Sequence, residues 1–418
     1  MRNRIFIALA ALAVFALACA APEQAPEQAA GPDKIVIGHP AALSGKYAKA
    51  AEQAVGGIKA AVEWVNTSYG GVSVGGGAKV PLEYKVYDCE SRKESVTSLL
   101  ERLITTDQVN VTFAPYSSGL TLAGAPVAEK YGVVYMDHGG ASDKIFEQGF
   151  TYIVQTIGPG SSYHAGTLDM VQQVDPEATQ LALAYEDSEF ARSVMDGAKA
   201  HATELGFDIV FERTYPAGVT DLTPLLSDLK TFEPDIILGG GHFEDGQLFN
   251  RQLADLDINP KLLSLIAAAT LPAFKEALGD LAEGVMGPSH WEYGVTFSEE
   301  GAAAAGYDWI GPSQDEFVAL FKQAAGDITP DYHAAEAAAA VLALVKGVEN
   351  AGSVESDALR AALGDLTFMS FYGSWDIDDT GKQVGHSMVD VQWQGDERVI
   401  VWPEAAKTGD AVYPKPVF

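Results

Sequence analysis

The chain has 418 residues, 47% hydrophobic and 20% charged. At roughly 150 residues per domain this implies two or three domains, and the balance excludes a wholly disordered chain and a polytopic membrane protein. Asp and Glu number 57 against 27 Lys and Arg, a net charge of −30, which excludes nucleic acid and anionic membrane surfaces as partners.

The N-terminus reads as an export address. Arg2 and Arg4 form a basic start, and residues 5–18 are an apolar run too short to span a bilayer but right for a signal peptide. Ala16-Leu17-Ala18-Cys19-Ala20 resembles a bacterial lipobox, in which Cys19 is lipidated and becomes the mature N-terminus. That pattern prefers Leu where Ala16 stands, and ordinary signal-peptidase cleavage nearby is the alternative. Removing residues 1–18 takes away the two arginines and no acid, for a mature charge of −32. Ala-Pro-Glu-Gln then occurs twice, at 21–24 and 25–28. With nothing to bury, 19–32 reads as a tether of about 40 Å at roughly 3 Å per residue. The chain has two cysteines. That excludes a disulfide-stapled scaffold or a cysteine-rich metal site, and with Cys19 lipidated no disulfide is expected for Cys89.

The body alternates strands and helices. Residues 34–39 form a short β-branched run, and 48–66 carry Ala51, Ala54, Val55, Ile58, Val62 and Val65 at helical spacing. A strand at 80–88, a helix at 91–106, strands at 111–114 and 133–136 and a helix from Ser118 follow. A second series runs helix 163–173, strand 181–185, helix 190–205, strand 208–214, helix 222–232, strand 235–238, helix 246–256 and strand 262–266. This alternation predicts an α/β fold with two doubly wound, Rossmann-like lobes. The last third differs: alanine-rich helices at 334–348 and 356–363, a hairpin strand at 371–377, and strands at 388–393 and 399–402.

Catalytic signatures are few. No G-x-S-x-G, H-E-x-x-H or G-x-x-x-x-G-K-[ST] occurs. Gly239-Gly240-Gly241 follows a strand, but Glu244 stands where a dinucleotide fingerprint needs glycine, so a tight turn is the reading. Asp376, Asp378, Thr380 and Gly381 imitate an EF-hand start, yet Ser387 holds the twelfth position. A turn at 379–381 fits better. The eight histidines show no ligand spacing, and neither metal nor cofactor is expected. In open α/β sheets ligands bind beyond the carboxyl ends of strands. Three such places carry polar residues: Tyr116-Ser117-Ser118 opening a helix, Asp137-His138-Gly139-Gly140-Ala141-Ser142, and His242-Phe243-Glu244. The first offers helix N–H groups and hydroxyls to an anion. The second offers glycines that admit close backbone approach.

Leu43-Ser44-Gly45, Tyr87-Asp88, Tyr116-Ser117-Ser118, Gly139 to Asp143, Gly149-Phe150 with Tyr152, Ala191-Arg192 with Asp196-Gly197, and Trp375-Asp376 with Gly381 occur in this order behind the export address. In this arrangement the chain resembles the leucine/isoleucine/valine-type periplasmic solute-binding proteins of ABC importers, over 34–403. The resemblance implies a type I periplasmic-binding-protein fold. Lobe one is 33–159 and 289–371, lobe two is 160–288 and 372–418, and three crossovers form the hinge. It also implies a non-enzymatic monomer that captures a small carboxylate or amino acid between closing lobes and hands it to an ABC permease. The location implied is periplasmic or at the cell surface, held to the membrane through Cys19. The family's carboxylate-holding serine maps to Ser118, with Gly139, Gly140, Ala141 and Ser142 beside it. Lobe two departs from the pattern. The stretch that should carry an acid for the ligand ammonium reads Leu265-Ile266-Ala267-Ala268-Ala269, and Gly241 stands at the covering tyrosine. Either Glu186, Asp187 or Glu244 substitutes, or the ligand has no ammonium. Tyr163, Phe190, His242, Phe243 and Trp291 would then line a pocket for a larger or aromatic carboxylate. A sensory module of the same fold and an exported hydrolase are the competing readings. The first would carry a transmembrane helix, and no later apolar run is long enough; the second would need a nucleophile–base pair.

Overall fold

The computed structural model describes residues 32–418; the expected signal peptide, the lipidation site at Cys19 and most of the tether lie outside the described residues. Two sheets organise the rest. The first has the order β2-β1-β3-β4-β5, from β1 (Ile35–Ala41), β2 (Leu82–Asp88), β3 (Val111–Phe113), β4 (Tyr135–Asp137) and β5 (Ile153–Gln155), all parallel. The second has the order β14-β13-β10-β9-β8-β6-β7. Its parallel part is β6 (Gln180–Glu186), β7 (Asp208–Tyr215), β8 (Ile236–Gly240), β9 (Leu262–Leu265) and β10 (Met286–Ser289). Strands β13 (Val389–Gln394) and β14 (Glu397–Trp402) extend it antiparallel.

Both sheets are covered on both faces, as parallel sheets require. In β6, Leu181, Leu183 and Tyr185 enter one apolar cluster, while Ala182 and Ala184 enter another, the period of two expected of a strand. Helices α1 (Ala48–Thr67) and α11 (Tyr332–Ala351) pack on the first sheet. The alanine run of α11 is buried almost throughout because it leaves room for a close neighbour. A Cβ on Gly57 of α1 would lie 2.0 Å from the Ala334 carbonyl oxygen, so glycine is required there. No single helix among the described residues is long and apolar enough to cross a membrane.

The chain passes between the sheets three times: after β5, after β10 and before β13. Bonds from 375–383 still run to the first sheet, with Trp375 Nε1 donating to Gln155 O at 3.1 Å and Gln155 N–H to Gly381 O at 2.8 Å. The third passage therefore falls after Gln383, later than the 371/372 boundary expected.

Several elements differ from the sequence expectation. The hairpin expected at 371–377 is β11 (Phe368–Ser370) paired with β12 (Gly373–Trp375), with Phe371 and Tyr372 at its turn. Helix α7 (Phe243–Asp255) begins three residues early because Asp245 caps the His242 N–H. Strand β10 has no counterpart in the sequence reading, since Gly287 and Pro288 carry no strand propensity. The turn at 379–381 is present, with Asp378 Oδ1 accepting from the Thr380 and Lys382 N–H groups.

Candidate functional site

The site is assembled where both sheets present the carboxyl ends of their strands to each other. On the first side, the loop after β1 is fixed by Ser44, whose hydroxyl donates to Asp88 Oδ2 at 2.7 Å. This aims Lys46 and Tyr47 across the cleft. Lys46 forms an ion pair with Glu186 at the end of β6. The Tyr47 ring lies 4.9 Å from the His242 ring and 5.6 Å from Tyr116. Glu186 is fully buried and its other oxygen meets His242 Nδ1 at 2.7 Å. Burial alone would raise the Glu186 carboxyl, but His242 and Lys46 together outweigh it and hold the pKa at about 2.

Glu186, His242 and Asp245 bring candidate ligand atoms within 4.8 Å of one another, a spacing that a metal could bridge. Most of their atoms are already committed, His242 Nε2 excepted. Lys46 holds Glu186, and Asp245 accepts from the His242 N–H at 2.9 Å and from the Tyr215 hydroxyl at 2.7 Å. The trio is an ionic cluster held from both lobes, in which only His242 Nε2 is left without a partner.

The first sheet brings its two predicted loops together. Ser118 opens α3 (Ser118–Tyr131), and its Oγ accepts from the Ser142 N–H at 3.1 Å. Ser117, Ser118, Gly139, Gly140, Ala141 and Ser142 are all buried. The loop N–H groups are less open than expected. Asp137 Oδ1 accepts from Gly140 N–H at 2.6 Å and from Gly139 N–H at 3.2 Å. What the loops still direct inward are the hydroxyls, the buried Ser142 Oγ having no partner. Burial pushes the Asp137 carboxyl up to about 7 against the pull of those two N–H groups.

Behind these loops stands an aromatic and histidine wall. Tyr116 packs 5.0 Å from His333, which stacks on Tyr332 at 4.0 Å. Tyr163 lies 5.4 Å from Phe190 and 4.9 Å from His290, and Phe190 lies 5.6 Å from His242. Burial, with His333 nearby, holds the His138 imidazole down at about 3. Orphaned buried polar atoms concentrate here: both nitrogens of His138 and His290, the hydroxyls of Tyr163 and Tyr372, and both oxygens of Glu336. Native interiors leave few such atoms, and here they gather between the carboxyl ends of the two sheets. Two open surface depressions of 390 and 460 Å³ lie outside it, although His290 borders the larger.

Tyr116, Ser117, Ser118, the 139–142 loop, Tyr163, Phe190 and His242 thus converge. Phe243 and Trp291 do not join them. Phe243 is half-buried against the lobe-two core, because the residue after an N-cap points away from it. Trp291 packs edge-on to Phe317 at 5.8 Å and Phe371 at 6.4 Å. The acids expected to substitute in lobe two lie at the surface or in ion pairs. Glu244 is exposed, Asp187 is exposed and paired with Arg192, and Glu186 is committed. Lys46, Tyr47, His290, Tyr332, His333 and Glu336 were not singled out from sequence. The signal for the last three was Asp331, which caps α11 by accepting from the His333 N–H at 2.9 Å and sets polar residues ahead of the alanine run.

Comparison with known proteins gives a consistent picture. The family profile described as periplasmic binding protein matches residues 34–398. The Leu/Ile/Val-binding protein homolog 7 of Brucella abortus is 26% identical over 395 residues, covering 89% of this chain and 92% of that protein. The branched-chain amino acid transporter substrate binding protein LivJ from Streptococcus pneumoniae, in complex with isoleucine, superposes with TM-score 0.73 at 19% identity over 87% of this chain and 97% of its own. An ABC transporter solute binding protein from R. palustris in complex with benzoate gives TM-score 0.70 at 20% identity over 93% and 98%.

Proposed function

Because the chain belongs to the periplasmic binding protein family, of the branched-chain amino-acid type, we propose that it captures a small carboxylate or amino-acid-like solute between its two lobes and presents it to an ABC permease. The observation that carries this reading is the meeting across one cleft of Ser118 and Ser142 from the first lobe with the Lys46–Glu186–His242 cluster spanning to the second. The ligand carboxylate sits at the first turn of α3, where hydroxyls and helix N–H groups supply charge-assisted donors. Tyr116, Tyr163, Phe190 and His242 cover the remainder of the molecule. Closure is a rotation about the three passages, and ligand that touches both lobes only when closed shifts the population that way. The fold accommodates both isoleucine and benzoate in other proteins, in keeping with a carboxylate as the common handle. Family membership places the protein outside the cytoplasm. A lipid on Cys19, with the tether behind it, keeps it at the membrane.

A thermal-shift panel tests this. Branched-chain amino acids, their 2-keto acids, aromatic carboxylates and small amides are each compared with buffer. A ligand at 100 times its Kd raises stability by about 2.7 kcal/mol. Response to one carboxylate-bearing class, lost in Ser118→Ala, is expected; response to the amides alone would overturn the carboxylate seat. Cys19→Ser is expected to move the protein from the membrane to the soluble fraction, and unchanged partition would remove the anchor.

A further inference from the structure

The family's lobe-two acid is missing, yet one carboxyl in the chamber stands with both oxygens unpartnered. Glu336 lies on α11, one turn beyond Tyr332 and His333, and residues three and four apart share a helix face. Its side chain is fully buried, and neither oxygen has a hydrogen-bond partner. It is the only such carboxylate among the described residues. The helix face it shares meets Tyr116 through His333 and meets His290 through Tyr332, at ring distances of 5.0 and 5.4 Å. Among the described residues no lysine or arginine pairs with it. Burial, with Asp331 and Asp137 nearby, pushes the carboxyl well above its ordinary range. The Tyr116, Tyr163, Tyr332 and Tyr372 hydroxyls face the same region, and each is itself raised by burial.

A buried carboxyl left this way is costly unless a partner arrives with the ligand. An ammonium is the partner that removes the cost, because it supplies both the countercharge and N–H donors for both oxygens. We propose that Glu336 holds the ammonium of the solute, so that the charge-pairing acid of the site sits on the first lobe's long helix instead of on the second lobe. The inference rests on the solute-binding reading above and deepens it: the ligand carries an amine as well as a carboxylate. Its carboxylate lies at Ser118 and Ser142, and its amine lies toward α11, Tyr163 and His290.

The test is calorimetric binding of matched pairs that differ only in the amine: leucine and 4-methylpentanoate, phenylalanine and 3-phenylpropionate, 4-(aminomethyl)benzoate and 4-methylbenzoate. At least one amine-bearing member is expected to bind about 100-fold tighter than its partner, as an unpaired buried carboxyl dictates. In Glu336→Gln, with an unliganded melting temperature checked against wild type, that ratio is expected to fall below about 10-fold. If the amine-free members bind as well or better in the wild type, the inference fails while the solute-binding reading stands; this comparison needs no variant. If the amine preference survives Glu336→Gln, another acid holds the ammonium and the inference fails. If no member of any pair binds, the ligand class proposed above fails and takes the inference with it.

Discussion

Replacing Glu186 by Gln removes the charge that Lys46 and His242 share while preserving shape. In the folded protein the Glu186 carboxyl is lowered from 4.5 to about 2, which corresponds to about 3 kcal/mol at neutral pH. His242 belongs to the same lobe as Glu186 and keeps its contact when the cleft opens. Lys46 does not. Assigning about half of the total to Lys46 gives ~1.5 kcal/mol, a factor of roughly ten in the ratio of closed to open protein. Urea unfolding of Glu186→Gln at pH 7 should therefore show a loss of about 3 kcal/mol. Spin labels at Glu52 and Glu276, exposed residues that face each other across the cleft rim, should show a new population at longer distance. The pH dependence has a fixed sign. The folded pKa is depressed, so the contribution is complete above the unfolded value and fades as pH falls from 4.5 toward 2. The gap between wild type and variant thus narrows as pH falls below about 4.5. Equal stability, or a loss with no change in the distance distribution, would refute the role of this pair in closure.

Gly57→Ala places a methyl 2.0 Å from the Ala334 carbonyl, forcing α1 from α11 at a cost of about 3 kcal/mol or more; a urea midpoint shift worth less than about 1 kcal/mol would contradict that packing. Asp137→Asn keeps the acceptor for Gly139 and Gly140 but cannot ionise. Because the Asp137 pKa is raised from 3.8 to about 7, wild-type stability falls as pH climbs through that window. The variant flattens the profile and gains up to about 4 kcal/mol at pH 8; parallel profiles would count against it. Ser118→Ala strands the Ser142 N–H and should cost about 1–3 kcal/mol of stability and at least about tenfold in solute affinity. Unchanged affinity by calorimetry would remove Ser118 from the site.

Much of this architecture is legible in residue order. Period-two runs such as Leu181-Ala182-Leu183-Ala184 announce their two faces, and each face goes to a different cluster. The serine-bearing loop at 116–118 and the glycine loop at 139–142 are legible because small and hydroxyl residues directly after a buried strand have few other uses. Lys46 and Glu186 are 140 residues apart, and nothing local to either says that they meet. Glu336 hides inside an alanine-rich helix, where a lone acid reads as a solvent-facing position. Only the burial of the entire helix turns it inward. Strand β10 escapes notice because its pairing on both sides, to β9 and β13, overrides the poor propensity of Met-Gly-Pro-Ser.

Tyr163, His290 and His386 stand in the first, second and third passages between the sheets, and their rings form one row, 4.9 Å from the first to the second and 5.4 Å from the second to the third. Closure as proposed above would make the molecule a lever whose load rests beside its fulcrum. A ligand atom pressing on that row moves a point close to the axis, while the rims of the lobes, at the far end of the arm, sweep a much larger arc. Small differences in ligand bulk at the row become large differences in gape at the surface a permease meets. Solutes that fit the chamber equally well can in this way differ sharply in how completely they shut the mouth, and so in how well they are transported.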